Sequence, residues 1–275
     1  MRILSLTLLV LGASLAASAL AQDKGTFEEY VKGLKEEARQ QGISSQVLTE
    51  AFHNVEYTPR AVNADRNQPE QKLTLDQYVS RTVPDSKIKQ ANEVYKKYAI
   101  ELKRIGEKYN VQPSFIVALW GIESNFGLIT GNYRVIDALS TLAYEGRREA
   151  FFRKEALAAL TILQQGDIAP EDMKGSWAGT MGQCQFMPTT FLDYAADGNG
   201  DGKKDIWGSK ADVFASIANY LTKLGWDGNN TWGRPVQVPQ GLSPDLQGVS
   251  LKKVSISKSG PSLVSLFLMA DLYLS

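Results

Sequence analysis

Three stretches of this sequence combine residue types and spacing that could do chemistry. The first is Phe115 to Gly127, an apolar run whose only charge is Glu123. Apolar neighbours disfavour the ionised form of a carboxyl, and so does the negative end of a helix dipole. A carboxylic acid held protonated near neutral pH is what general acid catalysis needs. The alternative for this stretch taken alone is a surface glutamate on a core helix. The second is Lys174 to Met187, which carries Gly175, Gly179 and Gly182 and reads as a loop whose backbone can approach a ligand closely, or as a plain irregular loop. The third is Asp197 to Asp205, with Asp197, Asn199, Asp201 and Asp205 at positions one, three, five and nine of an EF-hand loop and Gly202 at position six. Position twelve should be a bidentate Glu but is Gly208, and Asp212 four residues later could supply the carboxylate. The alternative is an acidic turn rich in Asx residues.

Other chemistries are bounded by composition. The one histidine, His53, lies far from these stretches and reads as structural; a multi-histidine zinc site is excluded. The one cysteine, Cys184, permits no intramolecular disulfide. With 30 basic and 30 acidic residues, no basic stripe points to nucleic acid. At 275 residues, 43% hydrophobic and 22% charged, the chain is ordinary globular protein of one large or two small domains. Residues 1–21 read as a signal peptide: Arg2 is followed by an apolar Ile3–Leu15 too short to span a bilayer, then by Ala19-Leu20-Ala21, a small-x-small cleavage site. An exported chain starting near Gln22 is expected.

The elements that must position these stretches are helical. Thr26 and Glu29 form a capping-box signature, with Phe27, Tyr30, Val31, Leu34 and Ala38 at helical spacing and Gly42 as the stop. A second helix is predicted from Ser45 to about His53. Residues 55–74 read as a long loop over the domain, and Gln77–Val83 resumes apolar spacing. A single amphipathic helix is predicted from Ser86 to about Tyr109, with Ile88, Ala91, Val94, Tyr95, Tyr98, Leu102 and Ile105 on its inner side. Pro113 suits the first turn and Gly127 the stop of the helix carrying Glu123, which would bury Phe115, Ile116, Leu119, Trp120 and Ile122. Helices follow at Val135 to about Ala143, Arg148–Gln165, Pro188–Ala196 and Asp212–Leu224. Beyond Trp232, Pro235, Pro239 and Pro244 break the chain and Val249–Ile256 could form short strands.

Gly121-Ile-Glu123-Ser-Asn-Phe-Gly127, then Gly175-Ser-Trp-Ala-Gly-Thr-Met-Gly-Gln-Cys-Gln-Phe-Met-Pro188, then the calcium-type loop, in that order, resemble the lytic murein transglycosylase B family over roughly Phe27 to Pro239. The resemblance implies a mainly α, lysozyme-like catalytic domain with an inserted EF-hand-like calcium loop and a small irregular or β C-terminal part. It implies non-hydrolytic cleavage of the glycosidic bond after N-acetylmuramic acid in peptidoglycan glycan strands, leaving a 1,6-anhydro sugar, with Glu123 as the single acid/base. It places Ser176, Gln185 and Tyr220, with Tyr78 as a further resemblance, at glycan-contacting positions. Asp197, Asn199, Asp201, the Lys203 carbonyl and Asp212 match the ligands of Ca2+; no organic cofactor is implied. The one carboxyl of the core motif agrees, since an ordinary glycosidase uses two, about 5 to 9.5 Å apart. Trp120, Phe126, Trp177, Phe186 and Tyr220 are candidates to stack on sugar faces, against the alternative that each is core.

The expected division is 1–21 signal peptide, 22–112 N-terminal helical part, 113–234 catalytic core and 235–275 C-terminal part, in a periplasmic protein. Two features depart from the family. Cys184 stands where proline or glycine is more usual. Leu251–Ser275 does not match the family's continuation, so a truncation or frame change near Lys258 is expected, with an association-prone, protease-sensitive end and weak activity. The alternatives to a transglycosylase are a catalytically impaired peptidoglycan-binding scaffold and a lysozyme-type muramidase.

Overall fold

The computed structural model describes residues 25–67 and 74–230. The expectations on the signal peptide, Pro235 to Ile256 and the C-terminal end lie outside these residues.

Among the described residues the chain forms eleven α-helices and one two-stranded ribbon. Helix α1 (Phe27–Gln40) opens with the expected capping box: the Thr26 hydroxyl accepts from Glu29 N–H, and the Glu29 carboxylate accepts from Thr26 N–H. Ser44 caps α2 (Ser45–Ala51) from one side only, its hydroxyl accepting from Val47 N–H. Two sequence expectations are corrected next. Residues 55–74 are not one loop, because Pro59 starts α3 (Pro59–Arg66), which packs on α8 (Val135–Glu145). The inner face of α3 buries Ala61, Val62 and Asp65, and Asp65 accepts from Arg147 at 2.8 Å. The helix from Ser86 to Tyr109 is two, α5 (Asp85–Lys97) and α6 (Ala99–Tyr109), broken at Tyr98. The Tyr98 ring is held edge-on against Trp120 and Phe214, at 5.9 and 5.6 Å between centroids, so the core side chain anchors the break. As a result Leu102 and Ile105 of α6 are buried, whereas α5 buries none of its residues, and Ile88 and Tyr95 are exposed. Helix α4 (Leu75–Thr82) lies before them.

The core is one apolar cluster running from Phe27 to Leu221. Its centre is the pairing of α8 with α9 (Glu149–Gln165); α1, α2 and α10 (Pro188–Tyr194) also pack on α9. Helix α11 (Lys210–Lys223) closes the other side against α6 and α7 (Pro113–Ser124). Strands β1 (Tyr133–Arg134) and β2 (Lys174–Gly175) pair antiparallel, Tyr133 opposite Gly175. That ribbon ties the glycine-rich loop to the start of α8. The mainly helical expectation holds.

Candidate active site

Helix α7 begins at Pro113, as expected of a residue whose missing N–H costs nothing in the first turn. It ends one residue after Glu123, at Ser124, with the left-handed Asn125 as its cap; the stop expected at Gly127 comes earlier. Asn125, Phe126 and Gly127 all have positive φ, 49°, 59° and 82°, and this reversal folds the Phe126 ring back against Gly121 and Trp120. A Cβ on Gly121 would stand 2.6 Å from that ring, so only glycine fits there. The Ser124 hydroxyl donates to the Gln183 carbonyl at 2.8 Å and accepts from Gly127 N–H at 3.1 Å. The motif therefore shapes and pins the turn that carries Glu123.

Glu123 lines a cleft of about 460 Å³. Burial pushes its carboxyl up to about 7. Of the sequence candidates, Ser176, Gln185, Tyr220, Trp177 and Phe186 line the same cleft. Tyr78 does not: it stands on α4, 42% exposed, outside that lining. Trp120 and Phe126, candidates for sugar stacking, are buried in the core and closed to a ligand, Trp120 being 1% exposed. Ile122, expected inside, is 44% exposed.

The glycine-rich loop is cross-braced. Ser176 N–H donates to the Thr180 carbonyl, and the Met181 and Phe186 backbones exchange hydrogen bonds around Gln185, whose φ is 49°. The Thr180 hydroxyl lies 2.7 Å from both the Ser176 hydroxyl and Gln185 Oε1, while Gln185 Nε2 donates to the Gly182 and Thr130 carbonyls. A cross-link by one hydroxyl thus sets the spacing of the two glycan-contact candidates. Tyr220 packs its ring on Phe186 and Tyr194, and burial, with smaller effects of Tyr194 and Glu123, raises its phenol, which stays a neutral donor.

Of the lining residues that were not read as site residues from sequence, four bear on the chemistry of the cleft. Thr180 is one. Arg148, at the N-cap of α9, lays its guanidinium 4.3 Å from the Phe151 ring centroid and makes no ion pair among the described residues. Glu155, 2% exposed, accepts from the Thr189 N–H at 2.9 Å and its hydroxyl at 2.8 Å, and so anchors the first turn of α10 from α9. Cys184 is the fourth. It is buried, its thiol directed at the Val213 carbonyl at 3.6 Å, and burial raises its pKa well above the usual value, so it stays a protonated, inert apolar group in the cleft wall.

The Asp197–Asp205 segment is a chain of Asx turns. Asp197 accepts from Gly200 and Gly202 N–H, Asn199 Oδ1 from Asp201 N–H, and Asp201 from Lys203 N–H. Asp212, fully buried on α11, straps the two ends: Oδ1 accepts from Gly198 N–H and Oδ2 from Asp205 N–H, both at 2.8 Å. Burial raises the Asp212 carboxyl, and Asp197 adds to that. The donor set is oxygen only, as calcium requires, and the glycines at 200 and 202 take the left-handed backbone a tight loop needs. The oxygens are nonetheless turned onto the loop's own N–H groups, and among the described residues no three His, Cys, Asp or Glu side chains gather as a metal cluster.

Residues 26–262 match the family described as the transglycosylase SLT domain. The chain belongs to this family. It is 36% identical over 166 residues to the membrane-bound lytic murein transglycosylase B of Escherichia coli strain K12, covering 60% of this chain but 45% of that one. The fold matches SltB3 from Pseudomonas aeruginosa, solved in complex with NAG-NAM-pentapeptide, with a TM-score of 0.77 and 43% identity over 80% of this chain and 59% of that one. It also matches Slt35 from Escherichia coli, solved in complex with calcium, with a TM-score of 0.66 and 28% identity over 74% of this chain and 65% of that one. The chain spans about half the length of the curated transglycosylase it matches, 45%. The lysozyme-like, mainly helical class expected from the motifs is that of these SLT-type relatives.

Proposed function

We propose that this chain cleaves the glycan strands of peptidoglycan as a lytic transglycosylase. The observation that carries this reading is a carboxyl, Glu123, on the wall of a cleft, raised by burial to about 7 and so able to give and take a proton near neutral pH. Glu123 protonates the oxygen linking muramic acid to the next sugar, and the C1–O bond breaks. The substrate's own acetamido oxygen supports the cation at C1. Glu123, now a carboxylate, takes the proton of the C6 hydroxyl, and O6 closes on C1 as the 1,6-anhydro ring. No water is consumed. The second carboxyl in the cleft, Glu155, has an oxygen bonded to each of the two Thr189 donors, which suits an anchor and not a nucleophile.

Ser176, Gln185 and Tyr220 present neutral polar groups to the sugars, and Trp177 and Phe186 present ring faces. Arg148, stacked on Phe151, offers planar donors to a carboxylate. The NAG-NAM-pentapeptide bound to SltB3 carries such groups, and we assign Arg148 to a peptide carboxylate of the substrate. Residues 113–234 are read as the catalytic part and 22–112 as its helical support, in a periplasmic location suggested by Ala19-Leu20-Ala21. Among the described residues no helix is long and apolar enough to cross a membrane.

Asp197, Asn199, Asp201, the Lys203 carbonyl and Asp212 are the residues that would hold Ca2+. Bound there, calcium supplies positive charge between carboxylates and rigidity to the loop, with no part in proton transfer. Mass analysis of the products from purified glycan strands tests the main reading. Anhydro-ended fragments are expected; reducing-end fragments mean hydrolysis, and intact strands leave a binder.

A further inference from the structure

Gln183 stands in the glycine-rich loop next to Cys184, is 3% exposed, and is bonded on every side. Its Oε1 accepts from the Trp120 indole N–H and from the Lys210 ammonium, both at 2.9 Å. Its Nε2 donates to the Trp207 carbonyl, its backbone N–H donates to the Ile206 carbonyl, and its own carbonyl accepts from the Ser124 hydroxyl. Trp120 and Ser124 bracket Glu123 on α7. Ile206 and Trp207 are the chain leaving the Asp-rich loop, and Lys210 begins α11. One buried side chain thus joins the turn that carries Glu123 to the loop that carries Ser176 and Gln185, and both to the Asp-rich segment. Gly127 must lack a side chain because a Cβ there would collide with Gln183 Oε1.

We propose that Gln183 is the positioning residue that sets the place of Glu123 against the glycan-contacting loop. It acts through Trp120 and Ser124 and touches no substrate; the proposal rests on the reading of Glu123 as the acid/base. A group held through such a bridge loses rate when the bridge is cut, because small misplacements cost about 10²-fold in favourable geometry. Binding of the glycan, which uses Ser176, Gln185 and Tyr220, should survive. Loosening the end of α7 should also let water reach Glu123 and lower its pKa.

Gln183→Met keeps the length and removes the amide bonds. On soluble glycan strands kcat is expected to fall about 10- to 100-fold with KM held within about twofold. By NMR the Trp120 indole N–H resonance should move, and the Glu123 carboxyl should titrate below the parent's midpoint of about 7. Gln183→Glu, which still accepts from Trp120 and Lys210, should lie closer to the parent in all three. A folded Gln183→Met protein with an unmoved indole and an unmoved Glu123 midpoint overturns the proposal. So does a parallel loss of kcat, KM and melting temperature, the mark of a merely structural residue. If Gln183→Met does not fold, Gln183→Asn, one methylene too short to reach Trp120, is read by the same criteria. If the parent itself cleaves no glycan, the transglycosylase reading fails, and the indole and carboxyl readouts still decide the positioning role.

Discussion

Glu123 owes its chemistry to burial, and that has two consequences. First, Glu123→Gln keeps the shape and loses the proton, so cleavage should drop by about 10² to 10⁴-fold or more while glycan binding persists; activity within a few-fold of the parent would remove Glu123 from the mechanism. In the proposed mechanism the acid form is the donor, so activity is also expected to fall as pH rises through about 7. Second, the folded protein holds this proton more tightly than the unfolded chain, whose carboxyl titrates near 4.5. The sign follows: stability from this group is complete below about 4.5 and is lost as pH rises towards about 7, on the order of 3 kcal/mol for a shift of this size. Glu123→Gln should therefore melt higher than the parent at pH 8, and the two should converge near pH 4. Chemical denaturation at the two pH values measures it; an equal gap at both would show that burial of the charge is not the cause.

At the scale of the element, α7 and its reversal behave as one unit. Phe126 packs between Gly121 and Trp120, edge-on to the indole, and the left-handed Asn125-Phe126-Gly127 turn is what brings the ring back. Gly121→Ala forces a Cβ into the Phe126 ring, and overpacking of this kind costs about 1–3 kcal/mol. The expected result is a destabilised protein whose kcat is also reduced, because the ring can move only by shifting the turn next to Glu123. Urea unfolding with steady-state rates on the same preparation tests this; loss of stability with a fully retained rate would mean that the turn and the helix end are independent. The break between α5 and α6 has a similar cause, a core ring at Tyr98 overriding a continuous helical period.

For the whole molecule, the Asp-rich loop is a junction, fastened to α11 by Asp212 and to the glycine-rich loop by Gln183. If calcium binds, it stabilises the folded chain by mass action; the calcium modules of extracellular proteins work at about 10⁻⁴ to 10⁻³ M. Millimolar calcium is expected to raise the melting temperature over that in chelator, and Asp201→Ala, an exposed loop residue, should abolish the rise with little change in chelator. An unaltered calcium response in Asp201→Ala would count against the site.

Much of this protein was legible in the sequence where the determinants are local. Caps such as Thr26 with Glu29, Pro113 at a first turn, the apolar period around Glu123 and the Asx-glycine turns each depend on residues within a few positions, so the helical class, the helix bearing Glu123 and the two loops could be read directly. What the sequence could not decide was which faces meet. Trp120 on its apolar helix and Trp177 in the glycine-rich loop were both candidates to stack on sugars, yet one is sealed in the core by Tyr98, Phe126 and Phe214 and the other lines the cleft. Tyr78 lies apart from the cleft for the same reason. Gln183, Arg148 and Glu155 gained their roles from partners far along the chain or from the side of the fold they face: Gln183 meets Trp120 across 63 positions, and Glu155 meets Thr189 across 34. Burial, and with it the proton affinity of Glu123, is a property of the assembled surfaces, and only the tertiary structure fixes it.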